Sequence, residues 1–486
     1  MVQLPTGTPP RAQLRTESFY GLDTRAESGL TNGYAPEAYN CAAEDGTLTH
    51  AAGFAELKVP MADGMAPTGI LALGHPVNRI GYYKVISYGS VKEYLIAVTD
   101  AGAVYYMQIN AATRRWTKAF IAGADNYDMS DCSMVRFRQG TEDSMLFFSK
   151  NDTPMRLYDG DGYYLPVSAP KAPSACVHYE RVFACGMEGE PYNVRFSASM
   201  DCTDWTGEDA GYITVLSEKG FLIKVISFAD AVYVFHQYGI SRLDAHARQT
   251  SFSVTGVWNT ASEILPGSIV NCGTRIIFAT RKGLYQFNGA SITRICRQAD
   301  GLWSKLYHFD KAQGCWHNQT YCLFCNTHLK DPGTVSGWNT LIRYHLDGGT
   351  LDVSVDFHAV AAAPISYPGY EGLVLSQGED GELFEYGGVL GGAFWRSPTS
   401  DFGRADVTKL VTDVYVTAAG TGDLTVQICA DGEETEYTLP LTAEMAVRRV
   451  RTFGRGRRIG IGFEKTSGAL RIENFQVKMD YGKDGV

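Results

Sequence analysis

The chain has 486 residues, with 53 acidic against 43 basic side chains and a formal net charge of −10. That length exceeds one ordinary core and asks for two or three domains or one large repeat architecture. The acidic balance argues against a surface that wraps nucleic acid through clustered Lys and Arg, while leaving room for a passage in which DNA slides because attraction is weak.

Glycine is abundant at 52, there are 28 Tyr, and only 20% of the residues are charged, a mix that favours short strands joined by tight turns over long helices. No apolar run reaches the ~18 residues needed to cross a bilayer, so no membrane span is expected. The eleven cysteines are odd in number and scattered, and no secretory h-region opens the chain. They read as reduced thiols in a chain made in a cytosol.

In chain order, residues 1–60 carry little periodicity, and Pro5, Pro9, Pro10, Gly21, Gly29, Gly33 and Pro36 interrupt most helical windows. This part reads as an extended N-terminal arm of the kind that orders against a neighbour. From about Ile70 the texture becomes strand-like, with Gly81 to Ile86, Glu93 to Val98 and Val104 to Gln108.

A phrase of strand, polar turn and strand then recurs. It runs from Ser144 to Phe148 into Met155 to Tyr158, and from Arg181 to Cys185 into Tyr192 to Phe196. Two adjacent copies follow: Ala231 to Phe235 with Ile240 to Leu243, and Arg275 to Thr280 with Leu284 to Phe287. Gly239 and Gly283 sit in their turns, where positive φ is expected. Tyr321 to Cys325 with Leu341 to Tyr344, and Gly372 to Ser376 with Leu383 to Tyr386, complete the series.

One such unit cannot bury its own apolar face, but several around an axis can. About seven phrases at intervals of roughly 35 to 55 residues fit four-stranded blades, so residues 61–394 are expected to form an all-β β-propeller. A pair of β-sandwiches is the competing architecture; closure into a ring has the advantage of removing exposed edges. Residues 395–486 alternate differently, through Val411 to Val416, Leu424 to Ile428, Arg458 to Gly462 and Leu470 to Asn474, and read as a small antiparallel β-sandwich-like module.

Few residues assemble into a chemical motif. Cys322 and Cys325 form a C-x-x-C with His328 nearby, a weak zinc candidate, since the spacing on a strand sends the two thiols to opposite faces. Asp159-Gly-Asp161-Gly162 resembles the start of a calcium loop but lacks its later ligands, and Asn151 and Asn318 open glycosylation-type triplets that read as turns. Ser197, Asp201, Asp204 and Trp205 resemble the Asp-box of propeller blades, a structural role in which short polar side chains bond their own turn and the Trp packs between sheets. No paired carboxylates are singled out for glycosidic chemistry and no nucleophile or phosphate-loop motif is present, so the chain reads as nonenzymatic, with no cofactor and no metal.

The densest charge feature comprises Arg448, Arg449, Arg451, Arg455, Arg457 and Arg458, six arginines without an intervening acid. It fits a patch docking on an acidic neighbouring subunit or a solvated edge, and less well a phosphate-facing surface.

Across these phrases the chain resembles the β-propeller tail proteins of tailed bacteriophages, of the nozzle, tail tubular protein B and packaged-DNA stabilisation type. The resemblance is carried by Phe19 to Asp23, Asn40 to Gly46 and Ala52 to Phe54; by Tyr158 to Gly162, Ala169 to Pro173 and His178 to Phe183; by Val194 to Trp205; by Gly256 to Val270 with Gly283 to Gly289; and by Trp395 to Pro398 through the arginine segment to Tyr481-Gly482. It implies a structural virion protein made in the host bacterial cytoplasm. Such a protein is a subunit of a homo-oligomeric ring, a hexamer, that contacts adjacent tail or portal-adaptor proteins. Double-stranded DNA passes transiently and nonspecifically through the ring as the genome is retained and ejected. The alternatives are a tail-tip receptor- or glycan-binding propeller and, further off, a propeller glycoside hydrolase.

Overall fold

The computed structural model describes residues 11–25, 33–57, 72–87, 90–111, 115–124, 126–140, 142–158, 161–216, 218–246, 248–329, 337–367, 370–389 and 391–481. Asp159 of the acidic turn and Gly482 lie outside them. Among the described residues, seven antiparallel sheets follow one another around a ring. Blade 1 holds Val77–Ser87, Ser90–Thr99, Val104–Gln108 and Thr117–Lys118, and blade 2 holds Ser133–Gln139, Glu142–Phe148, Met155–Tyr158 and Asp161–Tyr164. Blade 3 is built from Ser174–His178, Arg181–Cys185, Asn193–Phe196 and Gly211–Thr214, and blade 4 from Leu222–Phe228, Ala231–His236, Gly239–Asp244 and Ser253–Asn259. Blade 5 contains Val270–Asn271, Ile276–Thr280, Gly283–Phe287 and Ile292–Ile295. In blade 6, Leu306–Tyr307 and Gln313–His317 both pair with Thr320–Thr327, followed by Trp338–His345 and Leu351–Ala359.

The strands that read as continuous apolar phrases are the second strands of their blades, and every residue of Ala231–His236, Ile276–Thr280 and Thr320–Thr327 is buried. A neighbouring blade covers each of their two faces, so alternation gives way to an unbroken run. Seven apolar cores fill the seven inter-blade seams, including the one that closes the ring, where Val77, Ile80 and Leu95 of blade 1 meet Ala361, Ile365 and Val374 of the last blade. Phe235 and Phe278 meet edge to face at 5.4 Å across the seam of blades 4 and 5, and each such ring contributes ~1.5–3 kcal/mol by its burial.

Blade 7 consists of Ala361–Tyr367, Tyr370–Gln377 and Glu382–Val389, completed by Ala52–Glu56 from the start of the chain. For the described residues 11–25 and 33–57, this corrects the reading of an arm that waits for a neighbour. Arg11–Thr16, Cys41–Glu44 and Thr47–His50 join one sheet of the C-terminal module, and Glu37–Tyr39 joins the other. Arg11–Thr16, Glu37–Tyr39 and Thr47–His50 find partners more than 300 residues away, which leaves no local period to read, and Cys41–Glu44 reaches the sheet through its hairpin with Thr47–His50.

The C-terminal module is a sandwich of two sheets. In the first, Ala446–Gly456, Lys409–Gly420 and Leu470–Tyr481 lie side by side, with the N-terminal strands beyond; in the second, the order is Glu433–Pro440, Asp423–Ala430, Ile459–Lys465, Ala393–Arg396 and Glu37–Tyr39. Val414, Val416 and Val477 face Val426, Ile428 and Ile461 in one core, which continues through Phe19 and Leu22 to the seam of blades 5 and 6. The sandwich is therefore seated on the propeller by a shared apolar interior.

Turn glycines have two distinct causes. Gly283 adopts φ +147 as expected, but Gly239 has no positive φ. A Cβ on Gly239 would instead lie 2.4 Å from the carbonyl oxygen of Trp258, so close approach explains that glycine.

Candidate functional site

Strand Ala446–Gly456 is the terminal strand of the first sandwich sheet, and its sequence alternates by face. Val450, Thr452, Gly454 and Gly456 turn inward, while Val447, Arg449, Arg451, Phe453 and Arg455 are exposed. The inward glycines allow the sheets to meet: a Cβ on Gly454 would fall 2.5 Å from Ile428 Cγ2, and one on Gly456 3.1 Å from the Ala430 Cβ. The Arg-Thr-Phe-Gly-Arg-Gly pattern thus places guanidinium groups outside and bare backbone inside. Phe453 is 68% exposed among them, and its backbone N–H and carbonyl are both clasped by the Tyr437 hydroxyl from the second sheet, at 2.7 and 2.9 Å.

The six arginines do not form one patch. Arg449 donates from Nε to Asp413 Oδ1 at 2.6 Å, and its guanidinium lies 5.9 Å from the centroid of the Tyr415 ring, over which Lys478 Nζ also sits at 4.6 Å. Arg451 and Arg455 make no side-chain hydrogen bond or ion pair among the described residues. Arg448 bonds Thr442 at the rim of the sandwich and is only half-buried. Arg457 and Arg458 lie in the following turn, where their backbone amides bond the Asp431 carboxylate at 2.8 and 2.7 Å and hold it below the usual carboxylate range. Only Arg449, Arg451 and Arg455 share the outer face, and Lys478 and Arg15 extend it across the paired strands.

The Ser197 to Trp205 segment links strands of blade 3. Ser197 Oγ accepts from Val182 N–H at 3.1 Å; Asp201 Oδ1 accepts from Thr203 N–H at 2.8 Å; and Asp204 Oδ1 accepts from Gly207 N–H at 2.8 Å. Trp205 is 3% exposed, donates to the Cys202 carbonyl at 2.9 Å and meets Phe148 of blade 2 edge to face at 5.8 Å. Ser197, Asp201 and Asp204 thus serve the local backbone, and the Trp205 ring serves the seam.

Cys322 and Cys325 are both buried in different cores, Cys322 in the seam of blades 6 and 7 and Cys325 in that of blades 5 and 6. His328 stacks instead on Tyr307 at 4.3 Å. The structure does not bring these three together, and among the described residues no cluster of His, Cys, Asp and Glu could hold a metal ion.

A buried polar cluster in blade 6 escaped the sequence reading. Arg343 Nε bonds Asp352 Oδ1, and His345 Nε2 approaches Asp352 Oδ2 at 2.6 Å while its Nδ1 meets Thr320 Oγ1 at 3.0 Å. Burial opposes ionisation of Asp352, but the Arg343 charge and the His345 contact outweigh it and hold the carboxyl below its ordinary value. Arg343 also lies over the Tyr386 ring of blade 7 at 5.0 Å. With Arg343 and Asp352 buried and His345 at the partly exposed edge, this cluster ties strands together.

The sheet order defines a seven-bladed β-propeller carrying a β-sandwich. No protein-family model matches the chain, and no curated protein sequence does. Among solved structures it is similar to the β-propeller domain of Swd1 from Myceliophteria thermophila, at 10% identity and a TM-score of 0.42 over 66% of this chain and 98% of that one. It is also similar to BamB from Moraxella catarrhalis, at 14% identity and a TM-score of 0.34 over 70% of this chain and 97% of the other. Exo-beta-1,3-galactanase from Phanerochaete chrysosporium stands at 10% identity and 0.28 over 87% and 100%. No described helix is long and apolar enough to cross a membrane.

Proposed function

We propose that the chain is a nonenzymatic building block of a tailed-phage virion, a subunit of a tail ring or nozzle around the DNA channel. The observation that carries the reading is the outward row of Arg449, Arg451 and Arg455 beside an exposed Phe453, mounted on a sandwich fused to a closed propeller. A body closed on itself has little conformational freedom to lose on assembly, and an aromatic side chain set among arginines is the chemistry of contact surfaces. The sequence resemblance to phage propeller tail proteins supplies the assembly and its location.

Electron microscopy of the purified chain tests it: closed rings of identical wedges are expected. Replacing Arg449, Arg451 and Arg455 with Ser weakens assembly if the row grips a neighbour. Rings that persist while only DNA retention fails assign the row to phosphate contact instead.

A second reading, a receptor- or glycan-binding propeller, is favoured by an apolar surface on blade 3 and the segment entering blade 4, where Tyr212 is 62%, Leu216 77% and Phe221 49% exposed. Tyr192 meets Phe221 at 5.5 Å there. A chain that remains monomeric and loses cell or glycan binding on Phe221→Ala supports this reading over the ring.

A further inference from the structure

The sandwich carries charge of opposite sign on its two outer faces. On the first sheet, cross-strand rows align Arg449 with Tyr415 and Gln476, then Arg15; and Arg451 with Asp413 and Lys478. Arg455 continues the edge. Two acids accompany these cations, Asp413 paired to Arg449 and Glu17 at 3.3 Å from Arg15, so Arg451, Arg455 and Lys478 carry the charge that no acid contacts among the described residues.

On the second sheet, the residues that point away from the core form the row Glu436, Gln427, Gly462, Arg396 and Glu37. Glu434 and Glu464 flank it on the same face. Gln427 Nε2 donates to Glu436 and Glu464 at 3.1 Å each, which sets those two carboxylates around one amide. Arg396 is the one cation in this row, and Glu434 at 2.7 Å and Glu37 at 3.8 Å already claim it. Four carboxylates thus share this face with one guanidinium, two of them on Arg396 and two on Gln427. Tyr39 and Phe394 stack at 5.2 Å beside them. The phenol of Tyr39 is pushed up to about 12, by burial first and then by the charges of Glu464, Glu37 and Asp356.

We infer that the acidic face, built around Glu37, Glu434, Glu436 and Glu464, is the docking surface for the basic face of a second copy of this chain. The inference rests on the ring reading and names its interface. The two faces lie on opposite sides of one rigid sandwich, so a copy that docks with its basic face leaves its acidic face open for the next. Such a contact is heterologous and repeats by rotation, closing into a ring or extending into a filament. A two-fold contact would instead set basic on basic or acidic on acidic, which like-charge repulsion opposes.

The test is a pair of charge-reversed full-length chains measured by mass photometry and sedimentation. One carries Arg451→Glu and Arg455→Glu, whose side chains bond nothing among the described residues; the other carries Glu434→Lys and Glu436→Lys. Each alone is expected to associate ~10- to 100-fold more weakly than the parent. An equimolar mixture of the two is expected to recover association, because alternating copies restore opposite charge at every contact. Unchanged thermal unfolding of each variant excludes misfolding; if the Glu434 variant is destabilised through Arg396, Glu436→Lys with Glu464→Lys replaces it.

Parental rings that survive both reversals, or a mixture that stays dissociated, overturn this interface and leave the ring reading standing. A parent that stays monomeric at all concentrations overturns both.

Discussion

Gly454 lies against Ile428 across the sandwich so closely that a Cβ on the glycine would fall 2.5 Å from Ile428 Cγ2. Because Gly454 sits between the exposed Phe453 and Arg455, the geometry of the basic row depends on this contact. Gly454→Val is expected to destabilise the sandwich by about 1–3 kcal/mol through overpacking. Thermal unfolding followed by tryptophan fluorescence reads it, since Trp395 lies in the same core. A variant with parental stability shows that the sheets can part without cost.

Trp205 fills the seam between blades 2 and 3 against Phe148. Trp205→Ala is expected to cost about 3–5 kcal/mol, the range for deleting a buried aromatic side chain. Asp204→Ala removes acceptors from the Thr206 and Gly207 amides and is expected to cost ~1 kcal/mol. Denaturant titration orders the two. An Asp204 loss equal to the Trp205 loss identifies a role for Asp204 beyond its turn.

What was legible in the sequence divides by the range of the pairing. Ala231 to Leu243 reads as a hairpin because both strands and the turn lie within a dozen residues, and the blade repeat follows from such hairpins. Ala52–Glu56 could not be read, because its partner strand is Glu382–Val389 and its own five residues have no period. The arginine cluster was visible as composition, but its division into an outer row and a turn depends on inward Gly454 and Gly456 and on Asp431 capping two amides. The Arg343, His345 and Asp352 cluster was hidden because an arginine two residues before a histidine is unremarkable until both meet one carboxylate.

That carboxylate makes a pH prediction. Asp352 is buried and ionises more readily in the folded chain than its ordinary value of 3.8. A depressed folded value means that its contribution is present above the unfolded pKa and is lost as pH falls through the folded one. Parental stability is therefore expected to drop below about pH 4, and Asp352→Asn to cost about 3–5 kcal/mol at neutral pH by leaving Arg343 buried without its partner. The gap between parent and variant should narrow on acidification. A gap that is constant with pH means that Asp352 contributes shape and not charge.

The strand from the start of the chain gives the sharpest distinction between a ring-closing element and a free arm. Phe54 packs on Phe357 at 5.2 Å and on Tyr386 at 5.7 Å, and its backbone pairs with Tyr386. Removing the ring by Phe54→Ala is expected to cost about 1.5–3 kcal/mol and to loosen the outer side of blade 7 first. Hydrogen exchange should then rise in Glu382–Val389, while Arg181–Cys185 in blade 3 keeps parental protection. Were the segment an arm for gripping neighbours, the substitution would weaken assembly and leave exchange in Glu382–Val389 unchanged. Because the two readouts respond to different partners of one side chain, a single variant separates closure within the chain from attachment between chains.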